Sequence, residues 1–187
     1  MMFTHYLLSR PLNFHECCIQ QLILENPDDL TKVVLELKNQ INGDSGSFCL
    51  CDGSKNLDVS KYVDLILSPL NIDLNNRQII AGLYSKMSQS SNTNHLQRLS
   101  SLLSDVESFV TILSNEQPIE VDRMGVLDVV AIFKAMEIGF ETRPTLSETI
   151  SDYVSLIYEY TKIKLIVVVS MSQHMTSERI KELIHML

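Results

Sequence analysis

No apolar stretch in this chain approaches the roughly 20 residues that span a bilayer, so a membrane segment is not expected. The opening residues, MMFTHYLLSRPLNF, also lack the basic start and sustained apolar region of a signal peptide, which points to a cytoplasmic protein. Basic residues are scarce: 15 Lys and Arg stand against 23 Asp and Glu, a net charge of −8. Taken alone, that balance argues mildly against a nucleic-acid surface, because phosphate contacts need clustered lysine and arginine. A local basic face, or bound divalent cations, would reverse the potential where it matters.

Catalytic signatures are missing too. There is no Gly-x-Ser-x-Gly, no cysteine with a suitably placed histidine and no zinc pattern, so an enzyme is not expected. The four cysteines, Cys17, Cys18, Cys49 and Cys51, read as reduced and mostly buried thiols, and the five scattered histidines as structural or surface groups. The junction LILENPDDL, where a phosphate-binding loop would lie, has no glycine-rich turn and no Gly-Lys-Ser/Thr. Two acids occupy the place where phosphate would need bare amides, and they read instead as helix-capping charges.

What is present is an ordinary globular profile, 187 residues with 45% apolar and 20% charged side chains. The organising stretch is KLIVVVS, residues 164–170. A short β-branched run without polar alternation predicts a strand covered on both faces. Helical patterns flank it at Leu146–Thr161 and Thr176–Leu187, and IQQLILE, residues 19–25, is its expected neighbour. This rhythm predicts an α/β head built on a mostly parallel sheet. Around it, Phe3–Leu8, Leu12–Phe14, Cys17–Glu25, Ser47–Cys51 and Tyr62–Leu67 read as strands. The sequence Asn26-Pro27-Asp28-Asp29 reads as a helix start and Gly43 as that helix's stop.

From Asn75 the period becomes helical. Ile79, Ile80, Leu83, Tyr84 and Met87 mark one helix, and the polar stretch Ser88–Asn94 predicts an interruption or bend. Leu96, Leu99, Leu103, Val106, Val110 and Leu113 form a heptad seam, the pattern of a helix packing lengthwise on another, either within the chain or in an assembly. A shorter stripe follows at Val126, Val130 and Phe133. Leu146, Ile150, Tyr153, Ile157 and Tyr160 repeat the seam spacing behind a capping box of Thr145 and Glu148. The expected division is therefore a head in two parts, 1–74 and 145–187, with a helical leg, 75–144, inserted between them. Acids gather around the ends and links of the leg helices: Asp105, Glu107, Glu116, Glu120, Asp122, Asp128, Glu137 and Glu141. Carboxylates from several loops are what calcium needs, since it takes six to eight oxygen ligands.

Three collinear stretches carry a family resemblance: residues 22–87 (LILENPDDL through LYSKM), IFKAMEIGFET and YEYTKIKLIVVVSMSQHMTSERIKEL. The chain resembles the small spacer-acquisition accessory protein of type II-A CRISPR systems. The resemblance implies a degenerate P-loop-like head without nucleotide chemistry, carrying an extended helical leg. It implies a homotetrameric ring that threads onto double-stranded DNA at free ends without reading sequence. It also implies calcium holding that form, and the CRISPR integrase proteins and guide-directed nuclease as partners. The calcium ligands are then sought at Glu116, Glu120, Asp122 and Asp128, and the DNA contacts at Lys134, Arg77, Lys86 and Lys55. Two rivals stay open: a protein-binding scaffold of the acquisition complex, and a metal-dependent nuclease using the acids.

Overall fold

The computed structural model describes residues 1–14, 19–119, 121–122, 125 and 127–187. They form two compact units, one made of Met1–Asp73 with Thr142–Leu187 and the other of Leu74–Glu141.

In the first unit β1 (Met2–Thr4) lies between β2 (Leu12–Asn13) and β3 (Cys49–Asp52), and β4 (Lys55–Leu57) extends the sheet beyond β3. All three pairings are antiparallel. Phe3 pairs with Leu50, and both are buried, Leu50 completely. Helix α1 (Pro27–Ile41) adds Val33 and Leu37 to the same core. Asn26 caps it by accepting the Asp28 N–H at 3.0 Å, with Pro27 in the first turn and Asp28 and Asp29 at the positive end of the dipole. Gly43 ends it. Its φ of 104° lets the Gly43 N–H reach Gln40 O and the Asp44 N–H reach Asn39 O, which satisfies the last carbonyls.

Two polar side chains of α1 then position the segment entering β3. Glu36 accepts the Ser47 N–H at 2.7 Å, and Gln40 brackets the Phe48 backbone with bonds of 2.8 and 3.0 Å. The buried His5 ring contacts Glu36 at 3.0 Å and stacks on Phe48. Hydrogen bonding to Ser47 first, and to His5 second, holds the Glu36 carboxyl below the usual carboxylate range.

The single turn α2 (Val59–Tyr62) leads into β5 (Val63–Ile66), which pairs in parallel with β6 (Leu165–Val168), Val63 opposite Leu165 through Ile66 opposite Val168. Helix α6 (Leu146–Tyr160) buries Ile150, Tyr153 and Ile157. Ile150 packs with Met175, which follows the short α7 (Met171–His174), and with Leu183 of α8 (Ser177–Met186). Each such side chain, fully buried, contributes roughly 1.5–3 kcal/mol before the entropy of ordering it is counted. Tyr153 donates its hydroxyl to Asp64 at 2.8 Å; burial, together with that carboxylate, pushes the phenol well above the ordinary tyrosine range.

The mixed α/β class stands, and several details change. Among the described residues the larger sheet is antiparallel, and only β5 and β6 are parallel. The tight turn at Asp52–Lys55 forces antiparallel pairing of β3 with β4, whereas β5 reaches β6 only through a long crossover. The neighbour of β6 is β5, which pairs with it in register over all four residues, and not Ile19–Glu25. Residues 19–25 form no strand and expose Leu22 and Ile23, while Cys17 and Cys18 of the predicted strand Cys17–Glu25 lie outside the described residues. Cys49 is exposed and Cys51 half-buried rather than hidden, because the pleat gives the inward position to Leu50 between them.

Candidate nucleic-acid interface

The second unit starts at an asparagine pair. Asn76 caps α3 (Arg77–Asn94) by accepting the Gln78 and Ile79 N–H groups, and Ile79 is fully buried. The helix runs through Ser88–Asn94 without the predicted bend. Ser91 and Thr93 donate their hydroxyls to the carbonyls of Met87 and Gln89, four residues back, so these polar side chains are accommodated within the helix. The break falls one residue later, at His95.

Helix α4 (Leu96–Asn115) follows, and it buries no residue at all. In the seam Leu96 is 56% exposed, Val106 41%, Val110 40% and Leu113 42%, with Leu99 and Leu103 half-buried. The heptad pattern is therefore left largely open to solvent among the described residues of one chain, with Leu99 and Leu103 partly covered.

Helix α5 (Val129–Ala135) packs on α3 through Phe133, whose ring lies 5.8 Å from that of Tyr84. The chain leaving α5 is braced by two side chains associated with α3. The Tyr84 hydroxyl donates to Ile138 O at 2.9 Å. Asn75 donates to Phe140 O at 2.9 Å and accepts the Phe140 N–H at 2.7 Å. Gly139 permits this close approach, since a Cβ there would lie 2.6 Å from Asn75 Oδ1. The result is an open groove of about 540 Å³ lined by Ile80, Tyr84, Ile138 and Phe140, with Lys134, Glu137 and Glu141 also lining it.

The sequence-predicted residues fall as follows. Lys134 is exposed, in the last turn of α5, and two glutamates line the groove with it. Arg77 and Lys86 are exposed on α3, nine residues apart, which puts them on opposite sides of the helix. Lys55 is exposed at the β3–β4 turn in the other unit. Glu116 follows the last turn of α4, Asp122 is exposed in the link, and Glu120 lies outside the described residues, as does Val126. Asp128 caps α5, its Oδ1 accepting the Ala131 N–H at 2.6 Å. Among the described residues no three Asp, Glu, His or Cys side chains gather as metal ligands, so those residues of one chain do not make a calcium shell. Sequence reasoning missed Asn75 and Tyr84 as organisers of the groove. The doubled asparagine in NIDLNN is the signal that was there to read: one caps, and the other is left to bind elsewhere.

The sequence model of the CRISPR-associated protein (Cas_Csn2) family matches residues 40–187. The chain belongs to this family. The Cas_Csn2 match begins in the last turn of α1 and takes in every candidate site residue named above, as well as Asn75 and the 137–141 segment that it braces. Membership carries a CRISPR-associated role, as the resemblance in the sequence implied. No curated protein matches the chain.

Proposed function

We propose that this chain is a non-enzymatic double-stranded-DNA-binding protein of CRISPR spacer acquisition. It assembles as a homotetrameric ring and holds duplex ends through their phosphates, with calcium required. The Cas_Csn2 match carries this reading. The exposed α4 seam supports it physically: a heptad stripe open to water is complementary to the same stripe on a second copy. A ring would also bring several copies of Lys134 and Lys55, with either Arg77 or Lys86, around one duplex, which offsets the net charge of −8 locally. Since Arg77 and Lys86 point to opposite sides of α3, only one of them faces a given duplex.

Calcium belongs to this reading through the family resemblance and the acid-rich link, with Glu116, Glu120, Asp122 and Asp128 as candidate ligands. The CRISPR integrase proteins and guide-directed nuclease are the expected partners, in the cytoplasm. A scaffold that binds these proteins without DNA is the second reading, and one observation favours it: residues 116–141 hold six acids against two bases.

The test is fluorescence anisotropy of labelled linear duplexes across a salt series, with calcium or with a chelator. The expected result is calcium-dependent binding, equal for unrelated sequences, with log affinity falling linearly against log salt at about −0.9 per phosphate neutralised. Oligomers without affinity for DNA would transfer the assignment to the scaffold, and cleaved duplex would transfer it to a metal-dependent nuclease.

A further inference from the structure

The groove on the Leu74–Glu141 unit has a chemistry of its own. Its apolar and aromatic lining comes from Ile80, Tyr84, Ile138 and Phe140, and its charged lining is two glutamates, Glu137 and Glu141, with a single lysine, Lys134. The surrounding sequence from 116 to 141 repeats that bias, six acids to two bases. Phosphate would meet repulsion here, whereas a guanidinium or ammonium group with a long aliphatic stem would match both the apolar lining and the charge.

Glu137 adds a second reason. It sits one residue past the C-cap of α5 with φ 50°, in the left-handed region where glycine is ordinary and glutamate is strained. The equivalent position after α1 is Gly43. At α5 a strained residue with a carboxylate is held instead, and that residue lines the groove. Asn75 and Tyr84, which line the groove, also hold its 138–140 segment by hydrogen bonds, so the groove is formed before any partner arrives. It is also wide open to solvent, which suits a side chain already carried on a protein surface rather than a free small molecule that must be enclosed.

We propose that this groove docks a basic segment of a partner protein, seating an arginine or lysine between Glu137 and Glu141 with its stem on Tyr84 and Phe140. The proposal stands apart from the ring assembly and competes only with the Lys134 phosphate contact of that reading, and its probe contains no nucleic acid.

The experiment measures binding of a short fluorescent peptide alternating arginine and leucine to the full chain, beside a citrulline version that keeps shape and loses charge. The arginine peptide should bind and the citrulline peptide should bind markedly more weakly. E137G and E141Q should each weaken the arginine peptide about two- to fivefold. K134Q should tighten it. E137G should also raise Tm, since it relieves the strained backbone, so loss of binding cannot be loss of fold. E178Q, on α8, removes the same unit charge elsewhere and should leave binding unchanged. Equal affinity for both peptides, equal weakening by E178Q, or no binding of the arginine peptide would each overturn the proposal. Tighter binding of a DNA duplex by E137G, with peptide binding unmoved, would overturn it in favour of a phosphate contact at Lys134.

Discussion

Glu36 bonds two elements with one carboxylate, the Ser47 N–H ahead of β3 and the His5 ring beyond β1. Its proton affinity is lowered in the fold, so the stability it contributes is fully present above the ordinary carboxylate pKa. That contribution is lost as pH falls through the lower folded value. Thermal melts between about pH 5 and pH 3 should therefore show a steep fall for the native chain and a shallower one for Glu36→Gln, which starts from a lower Tm at neutral pH. Gly139 is the other residue on which local order depends. A methyl group there would press on Asn75 Oδ1, which is already bonded to Phe140 N. Gly139→Ala should cost about 1–2 kcal/mol, seen as a Tm lower by roughly 2–8 °C, because the Asn75 bracket must open. The gain in backbone preorganisation that alanine usually brings is too small to offset it.

At the scale of elements, α4 is the outlier, a 20-residue helix with no buried side chain. Its own seam is the reason to expect a second copy. Val106→Lys with Val110→Lys places two charges in that stripe without breaking the helix. Sedimentation should then show the assembly dissociating at least about tenfold more readily, while helix content by circular dichroism stays the same. Unchanged assembly would mean that the seam is not the interface. The helices were the legible part of the sequence because their signals are local. Asn26 with Pro27, Thr145 with Glu148, and Gly43 after a periodic run each act within one turn, and each is found doing so. Strand partners were not legible. Nothing local in KLIVVVS says whether Ile19–Glu25 or Val63–Ile66 lies beside it, since pairing is decided by which run matches in length and register across a long crossover. Ser88–Asn94 stays helical for a related reason: polar composition alone does not break a helix whose Ser91 and Thr93 hydroxyls find partners in the carbonyls four residues back. The candidate site was legible as a set of charges. What escaped was the asparagine and tyrosine bracing that shapes it, because those side chains act across 54 and 65 residues of chain.

For the whole molecule the proposed function sets an acidic chain against a polyanionic ligand. A net charge of −8 repels DNA at long range, and screening at physiological salt shortens that repulsion to about 8 Å without removing it. The proposed ring would answer this by geometry. Several weak cations would surround one duplex and topological retention would replace tight contact, so that linear DNA would enter at an end and closed DNA would have no entrance. The most direct measurement is therefore a gel shift with linear and covalently closed circular DNA of one sequence, each with calcium and with a chelator. The account predicts calcium-dependent retention of the linear form alone, with the DNA intact. Equal retention of the closed circle, or retention of neither form, would contradict it.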